Sequence, residues 1–172
     1  SKDGCIKFAM LTGVTKFGKV SVFSDLNNLK DISLDNRYYN LCGIDEGELH
    51  GVFEPYVQCL ADSQNITLDK AYSELKRNYD GYHFSKNMVG MYNPFSLLNA
   101  FDSLEIGSYW FETGTPSYLV ELLKRHNFKL DELKGNDVTA NVLSAIDASS
   151  TNPISVIFQS GYLTIKGYKP RV

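Results

Sequence analysis

Gly13-Val14-Thr15-Lys16-Phe17-Gly18-Lys19-Val20 spells G-x-x-x-x-G-K, the phosphate-loop pattern up to its last letter. An apolar run, Ile6 to Leu11, precedes it, as a strand leading into such a loop should. A working loop needs Ser or Thr after the Lys, because that hydroxyl reaches a magnesium ion. Here the position is Val20, and the hydroxyl comes one residue late at Ser21. The next residues, Val20 to Ser24, are poor helix formers, so a helix dipole facing the phosphates lacks support. No later apolar run ends in Asp-Asp or Asp-Glu, and the closest, Val142 to Asp147, reads better as helix. Two readings remain. In one, the amides of residues 13 to 19 cradle phosphates and Lys19 neutralises them. In the other, which the residues favour, a strand leaves a sheet through a Gly-containing loop with solvated lysines.

Outward from this loop the chain alternates helix and turn signals. Asp45 and Glu48 form a D-x-x-E capping box ahead of Leu49, Val52, Phe53, Tyr56, Val57 and Leu60. Pro55 interrupts that helix or ends its first part. Thr67 caps a second helix with Leu68, Ala71, Tyr72 and Leu75 on its buried stripe. Tyr79-Asp80-Gly81-Tyr82 reads as a turn, and Tyr82–Phe84 and Met88–Tyr92 as a short hairpin around Ser85-Lys86-Asn87. Asn93-Pro94 and Thr115-Pro116 are helix starts, each a cap followed by a first-turn proline. A weaker helix covers Asn141 to Ala148, and another runs from Pro153 to Phe158. Tyr162-Leu163-Thr164-Ile165 reads as a strand.

With 172 residues the chain fits one domain or two small ones. It can bury roughly two-thirds of its unfolded surface. Eleven Tyr and ten Phe argue for a packed core and against disorder. A net charge of -3 gives no general affinity for nucleic acid. Cys5, Cys42 and Cys59 are an odd number without C-x-x-C, and read as reduced, mostly buried thiols of a cytoplasmic protein. No leader peptide or membrane span is apparent, and both chain edges look cut.

Five strings occur here in an order that resembles the bacterial AAA-ATPase-like domain family. They are Leu11-Thr12-Gly13-Val14-Thr15-Lys16-Phe17, Tyr79-Asp80-Gly81-Tyr82-His83-Phe84, Tyr92-Asn93-Pro94-Phe95-Ser96-Leu97-Leu98, Tyr109-Trp110-Phe111-Glu112-Thr113-Gly114-Thr115-Pro116 and Gln159-Ser160-Gly161-Tyr162-Leu163-Thr164-Ile165. The strings span nearly the whole chain. The resemblance implies a P-loop NTPase domain whose phosphate loop and acidic metal-binding strand precede the matching segment. The chain then looks like the second half of that domain. Residues 1–35 would be a sensor-strand remnant of the ATPase core, 36–130 a helical lid-like region, and 131–172 the start of a winged-helix-like unit. The implied fold is mainly α with short β elements, carrying a partial α/β remnant at the N-terminus. Thr12 and Thr15 become the sensor candidates near the γ-phosphate, and Thr12, Thr15, Lys16, Asp80 and His83 the candidate nucleotide-binding set.

ATP and magnesium are expected for the parent protein and not for this chain alone. The implied partners are the missing N-terminal half of the ATPase domain and a downstream nuclease-like domain, whose motif has no match here. An unpaired apolar first strand also invites self-association. The residues leave other readings open. Asp80 and His83, three apart, are a candidate metal or acid–base pair, or a turn in which Asp80 caps its own backbone and His83 is partly packed. Glu112 beside Trp110 reads as a rim carboxylate, and His50 and His126 as lone surface residues. Lys166, Lys169 and Arg171 form a basic tip that can touch phosphate. The alternative function is therefore a helical adaptor that binds protein or nucleic acid through its winged-helix-like end.

Overall fold

The helix-start signals near residues 45, 67 and 93 each place a side-chain acceptor on the free amides of a first turn. The computed structural model describes residues 7–13, 30–109, 117–125, 127, 137–144 and 153–169. In it Asp45 Oδ1 accepts from Glu48 N (2.8 Å) while Glu48 Oε2 accepts from Asp45 N (3.0 Å), closing the capping box of α1, Glu46–Gly51. Pro55 stands in the first turn of α2, Glu54–Ser63, where its missing N–H costs nothing, so the long apolar stripe is divided into two helices. Thr67 caps α3, Leu68–Tyr79, and Asn93 with Pro94 starts α4, Pro94–Ser103. Among the described residues three further helices follow: α5, Ser117–Arg125; α6, Ala140–Ser144; and α7, Ile154–Gln159.

The chain divides into two units. The larger comprises Leu29–Phe128 and Thr164–Val172. Its core gathers Leu49 from α1, Val57, Leu60 and Ala61 from α2, Ala71, Leu75 and Tyr79 from α3, and Leu97, Ala100 and Phe101 from α4. α2 lies at the centre, packed on α1, α3 and α4. The smaller unit comprises Ser1–Asn28 and Lys129–Leu163, and in it α6 packs on α7, with Gln159 Nε2 donating to the Leu143 carbonyl at 3.0 Å.

The fold is mainly helical, with isolated β-bridges in place of strands among the described residues. The expected hairpin contracts to a single antiparallel bridge, Tyr82 with Met91, and its loop to a turn in which Met88 N donates to the Ser85 carbonyl at 3.2 Å. A second bridge joins Ile44 to Tyr92. Adjacent residues of an extended chain point their amides and carbonyls to opposite sides. Met91 and Tyr92 therefore serve two neighbours at once.

Two expected strands are not formed. Of the run expected at Ile6 to Leu11, residues 7–11 are irregular and exposed, with Phe8 82% accessible. Residues Tyr162 to Ile165 are irregular and half-buried. In each case no neighbouring strand among the described residues pairs with the backbone, and an extended segment without a partner is not a strand. Cys42 and Cys59 are exposed rather than buried. α2 turns Val57, Leu60 and Ala61 to the core, and Cys59 falls off that face. The readings at Cys5, Val20–Phe23 and Trp110–Pro116 lie outside the described residues. No helix among the described residues is long and apolar enough to cross a membrane.

Leu75 is fully buried among α2, α3 and α4. Leu75→Ala should lower the unfolding free energy by about 2–5 kcal/mol, read from urea titration. A loss below about 0.5 kcal/mol would mean that this core is not packed as described.

Candidate functional site

The site begins where α3 stops. Tyr79, its last residue, is buried, and its carbonyl accepts from Asn93 N at 2.9 Å. Its hydroxyl donates to the Gly107 carbonyl (2.9 Å) and accepts from Gly107 N (3.0 Å). One side chain thus ties the end of α3 to the segment after α4, and its backbone ties it to the cap of α4. Gly81 follows with φ of 119°, a left-handed conformation that a side chain would strain. Residues 79–93 then return to the helical unit as a closed excursion.

Asp80 and His83 both sit half-buried on this excursion, with no hydrogen bond or ion pair between them among the described residues. Asp80 Oδ1 accepts from the Gly81 amide at 2.6 Å. The carboxylate also lies against Gly90, where an added Cβ would fall 2.6 Å from Oδ1. His83 donates its backbone N–H to Thr164 Oγ1 at 2.8 Å, and its Nδ1 is buried with no hydrogen-bond partner. The rings of Tyr82 and Phe84 on either side of it stack at 6.0 Å. This is the geometry of a self-capping turn with a partly packed imidazole. No group of three or more His, Cys, Asp or Glu among the described residues is arranged to hold a metal ion.

Thr12 and Gly13 are exposed at the end of the stretch 7–13, while Thr15, Lys16, Lys19 and the rest of the loop, residues 14–20, lie outside the described residues. So do Glu112, His126 and Arg171; Lys166 and Lys169 are exposed.

A second polar centre escaped sequence reasoning. Glu46, in the first turn of α1, accepts through Oε2 from the Tyr92 hydroxyl (2.8 Å) and from Lys76 Nζ (3.0 Å). Its Oε1 lies 3.4 Å from His50 Nε2, and the His50 ring stacks on Tyr72 at 3.9 Å. His50 is therefore a surface residue but not a lone one. Burial alone would raise the Glu46 carboxyl; the hydrogen bonds from Tyr92 and Lys76 and the Lys76 charge outweigh it and hold it below the usual carboxylate range. Burial, reinforced by the carboxylate it donates to, pushes the Tyr92 hydroxyl far above its ordinary range, so it remains a donor. The Glu46–His50 spacing is legible on a helix. The partners Lys76 and Tyr92 lie 30 and 46 residues away and are not.

No protein-family model and no solved structure matches the chain. It is similar to an uncharacterized protein encoded in the vnfD 5' region of Azotobacter chroococcum mcd 1, with 43% identity over 163 residues. The match covers 95% of this chain and 29% of that protein, so the chain spans less than a third of the relative's length.

A carboxyl whose folded value is depressed contributes stability above its ordinary value and loses it as the pH falls through the lowered one. Glu46→Gln should therefore cost at most about 1 kcal/mol at neutral pH, because the group is half exposed. The difference from wild type should shrink in acid. Thermal melts across the acid range check this, and a difference that grows on acidification would contradict the assignment.

Proposed function

We propose that this chain is a segment of a bacterial AAA-ATPase-like protein that supplies sensor, lid and winged-helix-like parts and is catalytically incomplete alone. The carrying observation is the order of the five sequence strings, two of which meet in one packed unit. Asn93 N of the Tyr92–Leu98 string donates to the Tyr79 carbonyl of the Tyr79–Phe84 string, and Tyr79, Tyr92 and Leu97 share the core.

A lid must move as a body, and the α1–α4 unit has its own core, which suits that role. The exposed apolar stretch around Thr12 suits a strand whose sheet neighbours come from the rest of an ATPase core. On this reading Thr12 and Thr15 offer hydroxyls to γ-phosphate oxygens, and Lys16 offers a cation near them. ATP and magnesium are held chiefly by the parent's preceding half, and bound magnesium would neutralise charge on the phosphates. The turn at Asp80 and His83 then leads toward the lid helix α4 that closes over the nucleotide. The setting on this reading is the cytoplasm, with a nuclease-like domain further along the parent.

The relative's greater length leaves room for such parts. The full-length parent should bind ATP in the presence of magnesium, measured by calorimetry, and the isolated chain should not. ATP hydrolysis by the isolated chain that is abolished by Lys19→Ala would overturn the reading.

A second reading, an adaptor that contacts nucleic acid through its C-terminal end, draws on the exposed run Lys166-Gly167-Tyr168-Lys169. It predicts DNA binding that weakens steeply with salt and is lost when Lys166, Lys169 and Arg171 are neutralised. Absence of binding at low salt would end it.

A further inference from the structure

The basic residues of this chain are unevenly placed, and one helical face has none. No Lys or Arg occurs from Tyr38 to Asp69, or from Asn87 to Leu123. α1, α2 and α4 all fall inside these two stretches. In the larger unit, α3 carries Lys70, Lys76 and Arg77, and each is already committed: Lys70 and Arg77 to Glu74, and Lys76 to Glu46.

On α4, Phe95 and Leu98 are 47% and 50% exposed, and they lie one turn apart on a line that continues to Phe101. The Phe101 ring is 5.7 Å from that of Tyr56 on α2, which is itself 55% exposed. Phe95, Leu98 and Tyr56 therefore form one apolar strip across two packed helices, floored by the buried Phe101. Carboxylates border it. Asp102 follows Phe101 directly and stands one turn from Leu98, Glu105 lies just past the helix end, and Glu54 stands two residues before Tyr56. All three are exposed, and no ion pair engages them among the described residues.

We propose that the α2–α4 face docks a basic amphipathic helix of a protein partner, whose apolar residues cover Tyr56, Phe95 and Leu98 while its Lys and Arg meet Glu54, Asp102 and Glu105. Charge selects this occupant. A nucleic acid or an anionic lipid surface would bring phosphate against unpaired carboxylates. A symmetric second copy would set the same carboxylates against themselves. A basic amphipathic helix satisfies both the strip and its border. The inference stands apart from the ATPase reading and needs no nucleotide.

The test uses the whole chain and two short synthetic amphipathic peptides. Both carry leucines on one face; the other face carries Lys and Arg in one peptide and Glu in the second. Fluorescence anisotropy should show salt-sensitive binding of the basic peptide and none of the acidic one. Leu98→Ser should weaken it by about ten-fold or more, and Asp102→Asn with Glu105→Gln should flatten the salt dependence. Because these side chains are exposed, the variants should keep the wild-type circular dichroism and melting curve. Equal binding of the two peptides, or basic-peptide binding indifferent to these substitutions, would overturn the proposal. So would a dimer in sedimentation that Leu98→Ser dissolves, which would give the face to a second copy. Binding of an oligonucleotide or of anionic phosphatidylserine vesicles that Leu98→Ser abolishes would likewise overturn it.

Discussion

Tyr92 is the residue on which the larger unit closes. Its side chain is almost fully buried, its hydroxyl donates to Glu46, and its backbone N–H and carbonyl both bond to Ile44. A buried phenol without a partner would carry an uncompensated desolvation cost, so the Glu46 carboxylate has to sit where it does. That requirement fixes where the first turn of α1, begun by its own capping box, lies against Tyr92. Lys76 reaches the same oxygen from α3, and the next residues, Asn93 and Pro94, begin α4. Three helices and the short bridged ribbon are registered around one aromatic ring and one carboxylate.

The same closure positions the excursion 79–93. Tyr79 and Asn93 hold its two ends together, and Met91 bridges back to Tyr82 inside it. Gly81 supplies the left-handed turn, and Gly90 gives Asp80 the room to fold onto its own backbone. The result directs Asp80 to the neighbouring Gly81 amide and the His83 backbone to the distant Thr164 hydroxyl. Three-residue spacing did not make them a pair, because the chain reverses at Gly81 instead of continuing as a helix in which such residues would share a face.

Charge is segregated as sharply as burial. Among α1 to α4, only α3 carries Lys or Arg, and these pair with Glu46 and Glu74, while α2 and α4 carry carboxylates beside exposed aromatic and aliphatic side chains. The segregation is visible in the sequence as two long stretches without Lys or Arg. Which carboxylates remain unpaired, and that Tyr56 meets Phe101, became visible only once α2 lay on α4.

Signals that act within one helical turn were legible from residues alone: the Asp45–Glu48 box, the Thr67 and Asn93 caps, Pro55 dividing two helices, and the turn at Gly81. Each is decided by backbone amides and φ angles a few residues away, so no distant partner is needed. The apolar runs at Ile6–Leu11 and Tyr162–Ile165 have the composition of strands. A strand, however, exists only through the hydrogen bonds of a neighbour, and the described residues provide none. Likewise the sequence determined that Glu46 begins a helix. Only the tertiary structure decided that it would meet Lys76 and Tyr92, because contacts 30 and 46 residues apart arise from the packing of whole helices and leave no local trace.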